Sequence, residues 1–264
     1  MDYATETWQA LARLRETAPL VQNITNYVAM DVAANTLLAL GASPAMAHAV
    51  EEVEEFVGIA QALALNIGTL SPAWVQAMQL AAARALQLGK PWVLDPVGAG
   101  ATQYRTRTAA ALARQRPTVV RGNASEILAL AGTGAATKGV DSTAASDDAR
   151  EVARRLAAEL GCVVAVTGAV DYVTDGRVER SVANGHPLMT RVTALGCSAT
   201  AMVAAFCAVE DDALVATAQA LAVLGLAGEL AARQAAGPGS LRLHLLDALY
   251  RLDEATVTAG VRIG

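Results

Sequence analysis

Two acidic residues in this 264-residue chain stand where carboxylates can bind a metal ion. Asp95 follows the apolar run 92–94, and Glu126 comes shortly after a second run, 119–120. Mg²⁺ in proteins takes one or two carboxylates together with substrate phosphates, so this pair suits a site for Mg²⁺ and a phosphorylated ligand. Each residue also has a structural interpretation: Asp95 caps a turn, and Glu126 forms a helix-capping box with Asn123.

Polar residues also follow two runs of β-branched residues. Arg121 leaves the run 119–120, where a fixed guanidinium can meet a nucleotide phosphate. Thr167 stands at the same point after the run 163–166, and Gly168 lets a ligand approach the backbone. The other arginines between Asp95 and Glu126 are interpreted as a solvated helix face or its ends: Arg105, Arg107, Arg114 and Arg116.

Cys197 lies between a β-like Val-Thr pair, 192–193, and a long run of small apolar residues. We expect Gly196 to turn the chain into a helix whose free N–H groups form an anion pocket. That positive potential favours the thiolate, so the pKa of Cys197 is expected to fall. Alternatively, Cys197 is a small core residue, the interpretation given to Cys162 and Cys207.

Three further positions have both functional and structural interpretations. Asn26 precedes a predicted helix, either as an anion or metal-water contact or as a simple helix start. Met46 follows a Gly-Ala-Ser-Pro turn and could line the binding site of an apolar ligand, although methionine is more often a core residue. The histidines share no spacing typical of a metal site and are interpreted as structural: His48, His186 and His244.

These residues need a framework that brings them together. Short β-branched runs alternate with longer helical patterns between residues 62 and 167, which predicts a mostly parallel sheet with helices on both faces. Asp175-Gly176, between two alternating runs, predicts a hairpin at the sheet edge. Ligands bind such a sheet beyond the carboxyl ends of its strands. We therefore expect a single α/β domain over residues 1–264.

Composition and charge narrow the class of protein. The chain has 20 Lys plus Arg against 25 Asp plus Glu, a net charge of −5, which argues against nucleic acid or an anionic membrane as the main partner. Three cysteines without metal-ligand spacing, and no export signal, predict a cytoplasmic protein. Two long uncharged runs, 56–83 and 192–209, raise the alternative of membrane spans, but turn residues interrupt both, and we favour buried helices.

Six motifs in chain order carry a resemblance to one family: NITNYVAMDVAANTLLALGASPAM, DPVGAGAT, GNASEI, KGVDS, VTGAVDYVTDG and NGHPLMTRVTALGCSA. From about residue 19 to about residue 246, the chain resembles the hydroxyethylthiazole kinases of thiamin salvage, which belong to the ribokinase-like group. The resemblance implies a ribokinase-like fold. It also implies phosphorylation of the hydroxyl of 4-methyl-5-(2-hydroxyethyl)thiazole, with ATP and Mg²⁺.

The resemblance also implies roles for residues already singled out. It implies that Met46, Ala194 and Asn26 belong to the substrate site and that Arg121 and Thr167 contact ATP. It further implies that Asp95 and Glu126 are the magnesium carboxylates and that Cys197 lies beside the reacting hydroxyl. Cys197 would orient the hydroxyl and accept its proton late in the transfer. The family further implies a homotrimer with the thiazole bound between subunits, and the long uncharged helices offer apolar area for such contacts.

One stretch departs from the family pattern. The residues before the cysteine are commonly Gly-Thr-Gly, whereas this chain has Ala194, Leu195 and Gly196. Any hydroxyl contact at position 195 is lost. A backbone anion pocket survives the change if the φ angle at Ala194 is negative.

Two other functions stay open. A ribokinase-like kinase for another small alcohol, such as a hydroxymethylpyrimidine, would share ATP and Mg²⁺ but usually has an aspartate where Cys197 stands. A non-catalytic regulator that binds a thiazole or a nucleotide belongs to a different class, and release of ADP with the thiazole alcohol would exclude it.

Overall fold

The structure, a computed structural model, describes residues 2–132 and 142–264, and only the backbone of residues 142–147. Within these ranges, eight strands form one sheet in the order β2-β1-β3-β4-β5-β6-β7-β8. The strands are β1 (Leu20–Ile24), β2 (Ser43–Ala45), β3 (Ala62–Asn66), β4 (Trp92–Asp95), β5 (Val119–Asn123), β6 (Val163–Thr167), β7 (Asp171–Thr174) and β8 (Glu179–Val182). Residues 138–141 of the KGVDS motif lie outside the described residues.

Strands β1 to β6 are parallel to one another, and β7 and β8 are antiparallel additions at one edge. The predicted hairpin at Asp175-Gly176 is confirmed, because it joins β7 to β8. Strand β1 lies between β2 and β3, so successive connections leave it in opposite directions. A reversal of this kind opens a crevice at the carboxyl ends of the strands, where α/β proteins bind ligands.

The helices follow the predicted alternation. They are α1 (Tyr3–Thr17), α2 (Met30–Leu40), α3 (Val53–Ile59), α4 (Pro72–Gln87), α5 (Gln103–Ala113), α6 (Ala124–Leu130), α7 (Ser142–Leu160), α8 (Leu195–Cys207), α9 (Ala213–Ala232), α10 (Pro238–Arg251) and α11 (Glu254–Gly260), with a 3₁₀-helix at Pro187–Arg191. Several begin at capping residues. Ser71 accepts a hydrogen bond from the Trp74 N–H beside Pro72, and Asp212 accepts one from the Leu214 N–H.

Helices cover both faces of the sheet, as predicted. One buried cluster joins α1, α2, α8, α9 and α10 to one face, and another joins α3 to α7 to the opposite face. Alternation along β3 shows the reason, since Ala62 and Ala64 face α8 while Leu63 and Leu65 face the other layer. The small alanines let the buried helix α8 lie directly on β3 and β4.

The apolar segments are accounted for inside the fold. The run 56–83 divides into α3, β3 and α4, and the run 192–209 contains α8, which has 13 residues. Among the described residues, α9 is the one helix long and apolar enough to cross a membrane, and 78% of its most apolar stretch is buried against other elements. That burial is typical of a core helix.

Candidate active site

A polar cavity of about 420 Å³ lies beyond the carboxyl ends of β1, β3, β4 and β5, beside the start of α8. Six of the eight predicted site residues line it: Asn26, Asp95, Arg121, Glu126, Ala194 and Cys197. The parallel register explains how residues far apart in the chain meet here. Asn66 pairs with Asp95 at the ends of β3 and β4, so both side chains reach the same edge of the sheet.

Asp95 is the buried acid at the centre of this cavity, with 1% of its surface exposed. Its Oδ2 accepts hydrogen bonds from Asn66 Nδ2 at 2.7 Å and Thr200 Oγ1 at 2.9 Å, and Arg121 Nη1 lies 3.7 Å away. Its Oδ1 is buried and has no hydrogen-bond partner among the described residues. Burial raises the pKa of Asp95, and the Arg121 charge opposes that rise.

Glu126 has the capping geometry that the sequence offered as its structural interpretation. Its Oε2 accepts the Asn123 N–H at 2.9 Å, and Asn123 Oδ1 accepts the Glu126 N–H at 3.0 Å. Its Oε1 accepts the Gly98 N–H at 3.0 Å. The carboxylate thus fixes the start of α6 and the turn after β4, while it also lines the polar cavity.

Cys197 sits against two amide side chains. Asn26 Nδ2 and Asn66 Nδ2 each lie 3.3 Å from its Sγ and donate to it. The expectation of a lowered pKa is wrong for this structure, because burial and then the Asp95 charge raise the pKa of the Cys197 thiol to about 11. The two amides and Arg121 oppose that rise without cancelling it. At neutral pH the sulfur is therefore a thiol.

The start of α8 differs from the prediction. Val192 and Thr193 follow the 3₁₀-helix and form no strand, and the turn into α8 is made by Ala194 with φ +66°. The condition for an unchanged backbone pocket, a negative φ at Ala194, is therefore not met. The left-handed conformation costs an alanine about 1 kcal/mol, whereas glycine adopts it freely.

The structure gives a reason for a glycine at position 196 that differs from the predicted turn. Gly196 lies inside the first turn of α8 rather than at the bend, and a Cβ there would be 2.9 Å from Arg121 Nη1. Its lack of a side chain lets the guanidinium pack against the helix start.

A second, more apolar cavity of about 550 Å³ adjoins the first, and Arg121 and Gly196 line both. Thr167 lies in this apolar cavity, where its Oγ1 accepts a hydrogen bond from Arg121 Nη2 at 2.6 Å. Asp171 also lines it and accepts the Gly168 N–H at 2.9 Å. Burial raises the pKa of Asp171 to about 6. Much of the remaining lining is apolar, from α8, α9, Pro187 and Met189.

Met46 lies apart from both cavities. It packs against the core just after β2 and is not among the residues that line either cavity. Close by, the His48 ring packs edge-on to Trp74 at 4.8 Å, and Tyr27 packs on Trp74 at 5.1 Å. The structural interpretation of His48 fits this packing.

Sequence reasoning missed two residues of the polar site and misjudged the surroundings of a third residue nearby. Asn66 bridges Asp95 and Cys197, and its place at the carboxyl end of an apolar strand was a usable signal. Thr200 donates to Asp95 from the turn of α8 that follows Cys197. Arg105 lies in the first turn of α5, at an end of the helix as one interpretation had it, but it is not part of a solvated face, because its guanidinium donates to the carbonyls of Ile67 at 2.7 Å and Gly68 at 2.8 Å.

Comparisons with known proteins identify the family of this chain. The family model of the hydroxyethylthiazole kinase family matches residues 11–255. A hydroxyethylthiazole kinase of Syntrophus aciditrophicus is 56% identical over 259 residues, which cover 97% of this chain and 96% of that protein. The solved hydroxyethylthiazole kinase of Pyrococcus horikoshii superposes with a TM-score of 0.91 at 46% identity, covering 98% of each chain. A ribokinase-like superfamily protein of Enterococcus faecalis shares the fold at TM-score 0.64, with 14% identity and coverage of 89% and 88%. The chain therefore belongs to the hydroxyethylthiazole kinase family.

Proposed function

We propose that this protein transfers the γ-phosphoryl group of ATP to the hydroxyl of 4-methyl-5-(2-hydroxyethyl)thiazole, with Mg²⁺, in thiamin salvage. The observation that carries the proposal is the junction of two cavities at Arg121, with a buried acid and a cysteine on the polar side. Kinases need that arrangement, because two substrates must meet away from water. Family membership supports the same reaction. A cytoplasmic location stays a prediction.

The apolar cavity suits the nucleotide. Its Arg121 and Thr167 end offers a guanidinium and a hydroxyl for phosphate oxygens, and its far end, between α9 and the 3₁₀-helix, offers apolar walls for a base. Arg121 already pairs with Asp95 across the junction. The phosphate end of the nucleotide would therefore point toward the polar cavity.

The polar cavity fits a magnesium ion. Asp95 Oδ1 is a buried carboxylate oxygen without a hydrogen-bond partner among the described residues, and such an oxygen is an apt ligand for a hard cation. Asp95 would hold the ion, with Glu126 beside it, since each Glu126 oxygen accepts one N–H and keeps a second lone pair. In the described part of the chain, no cluster of three or more His, Cys, Asp or Glu side chains could hold a metal. The phosphates and water would complete the shell, and the bound ion would neutralise phosphate charge.

Cys197 would lie beside the substrate hydroxyl. As a thiol it orients the hydroxyl, and it can accept the proton only after it has become a thiolate. Burial and Asp95 oppose that form, while the N–H groups of Asn26 and Asn66 favour it. In the transfer, the hydroxyl oxygen bonds to the γ-phosphorus while the bond to ADP breaks, and the hydroxyl proton passes late to an oxygen of the transferred phosphoryl group. Orientation is therefore the primary role that we assign to Cys197.

We also propose a homotrimer in which a neighbouring subunit completes the thiazole site. Tyr27 and Val28 are 69% and 61% exposed, and Val28 lines the polar cavity. Apolar side chains at the mouth of a site suit a contact with another copy. Met46, which lines neither cavity of its own chain, would then reach the thiazole of a neighbour. Light scattering that gives a fully active monomer would contradict this part of the proposal.

A coupled assay for ADP release tests the function. The purified chain is incubated with ATP and Mg²⁺ and with the thiazole alcohol, a hydroxymethylpyrimidine or no alcohol. We expect ADP release that depends on the thiazole alcohol. A preference for the pyrimidine would support the related kinase. Nucleotide binding without turnover of any alcohol would support the regulator.

A further inference from the structure

Beyond the residues that line the nucleotide cavity, we propose that Glu229 and Arg262 position one of its walls. This inference rests on the proposed function, because it takes the apolar cavity as the ATP site. The wall is the segment 184–190, of which Asn184, Gly185 and Met189 are lining residues. Neither Glu229 nor Arg262 lines the cavity. They act through the wall, so both are positioning residues.

Glu229 accepts hydrogen bonds from the first residues of this wall. Its Oε1 accepts the Gly185 N–H at 2.8 Å and Asn184 Nδ2 at 3.2 Å. The same carboxylate pairs with both terminal nitrogens of the Arg262 guanidinium. A charged acceptor that holds a backbone N–H fixes that peptide more firmly than a neutral side chain would.

Residues 262–264 hold the same segment from the other side, and we call these contacts together with those of Glu229 the clamp. Arg262 Nη2 donates to the Ala183 carbonyl at 2.8 Å, and the Arg262 N–H donates to Asn184 Oδ1 at 2.8 Å. Residues 262–264 also bond to Ser181 and Ala183 as a short antiparallel extension of β8. The wall therefore leaves the sheet from a point that is held from both sides.

The wall also lies unusually close to α9. A Cβ on Gly225 would be 2.6 Å from both the backbone carbon and the carbonyl oxygen of Asn184, distances that real Cβ atoms do not show. Glu229 stands one helical turn further along the same helix. Gly225 lets the segment lie close to α9, and hydrogen bonds to Glu229 hold it at that distance. The width of the nucleoside end therefore depends on Gly225 in the lining and on Glu229 outside the cavity.

Glu229→Ala tests the clamp. Binding of a non-hydrolysable ATP analogue with Mg²⁺ is measured by calorimetry without any alcohol, alongside the KM for ATP, the KM for the alcohol, kcat and the melting temperature. We expect nucleotide affinity to fall about tenfold, with the KM for the alcohol changed less than about twofold, because a displaced wall affects one substrate. Glu229→Gln should retain part of the affinity, since it still accepts the Gly185 N–H.

Glu210→Ala is the matched control, because Glu210 forms an ion pair with Arg13 at the surface away from both cavities. It should leave nucleotide affinity unchanged. If Glu229→Ala fails to fold, Arg262→Met removes the partner at a half-exposed position and should weaken nucleotide binding in the same direction. Folded variants that melt earlier yet bind the analogue like the wild type would overturn the inference. Failure of the wild type to bind the analogue would instead overturn the proposed function.

Discussion

The polar and apolar cavities share a wall, yet they are built in different ways. Around the polar cavity, the functional groups hold one another, as Asn66 does with Asp95 and Cys197. Around the apolar cavity, the lining side chains are largely apolar, and the polar contacts that fix the wall lie behind it, at Glu229 and Arg262. The polar cavity is therefore held by hydrogen bonds among its own functional groups, whereas one wall of the apolar cavity is held by residues that do not line it.

This difference predicts how each cavity responds to substitution. A change in the polar cavity removes a group that touches the reacting atoms and should lower kcat. A change behind the apolar cavity should alter the affinity for one substrate. The following substitutions test the comparison, from the largest expected effect to the smallest.

Asp95→Asn should lower kcat at least about a thousandfold, because it removes the buried negative charge that would hold Mg²⁺ while it keeps the shape of the side chain. Glu126→Gln should cost less turnover and should lower the melting temperature, since both Glu126 oxygens cap backbone N–H groups. Kinetics at varied Mg²⁺ and thermal melts separate the two roles. An Asp95→Asn enzyme with normal turnover and Mg²⁺ response would remove Asp95 from the proposed metal site.

Cys197→Ala should lower turnover by roughly ten- to a thousandfold if the sulfur orients the hydroxyl or takes its proton, with nucleotide binding kept. Cys197→Asp should be more active than Cys197→Ala, because Asn26 and Asn66 can donate to a carboxylate as they do to the sulfur. Steady-state kinetics of both variants provide the measurement. An Asp variant as inactive as the Ala variant, while folded and able to bind ATP, would assign the thiol a different role.

Asp171→Asn should make stability less dependent on pH. The pKa of Asp171 is raised by burial from 3.8 to about 6, so the folded state binds the proton more tightly than the unfolded state does. Its stabilising effect is complete below about pH 4 and is lost as the pH rises through about 6. We therefore expect Asp171→Asn to gain about 1–2 kcal/mol at pH 8, after allowance for partial exposure, and little at pH 4.

Chemical denaturation of the wild type and of Asp171→Asn at pH 4 and pH 8 measures this difference. Asp175→Asn is the control in the same hairpin, because Asp175 is exposed and accepts the N–H groups of Arg177 and Val178. It should bring no gain at pH 8. Equal stability of wild type and Asp171→Asn at both pH values would show that Asp171 titrates normally.

Ala194→Gly should raise the free energy of unfolding by about 0.5–1 kcal/mol, because glycine adopts the left-handed conformation without strain but loses more entropy on folding. Ala18→Gly is a matched control at the end of α1, where Ala18 has φ +45°. It should bring a similar gain and leave turnover unchanged. Denaturant titrations of both variants measure the effect, and a loss of stability in Ala194→Gly would contradict the assignment of strain.

Local patterns made much of the fold and part of the site predictable. The alternation of strand and helix follows from periodicity within each segment. The rule of strand ends selected Asp95, Arg121 and Thr167, which the structure places in the last residues of β4, β5 and β6 and in the walls of the two cavities. Asn66 occupied an equivalent position and was missed because an amide is a less obvious catalytic group than a carboxylate. The pKa of Cys197 was predicted in the wrong direction, because burial and the approach of Asp95 arise only on folding. The wall at 184–190 depends on contacts with residues 229 and 262, which no local pattern reveals.

The position of Arg121 between the two cavities bears on the thermodynamics of binding. Its guanidinium lines both cavities and lies against Asp95, Thr167 and Gly196. If the nucleotide and the alcohol bind as proposed, both ligands would contact this one guanidinium. Their binding equilibria would then be linked, and any factor by which the nucleotide changes the affinity for the alcohol would apply equally in reverse. In such a kinase, the occupancy of one site would depend on the occupancy of the other.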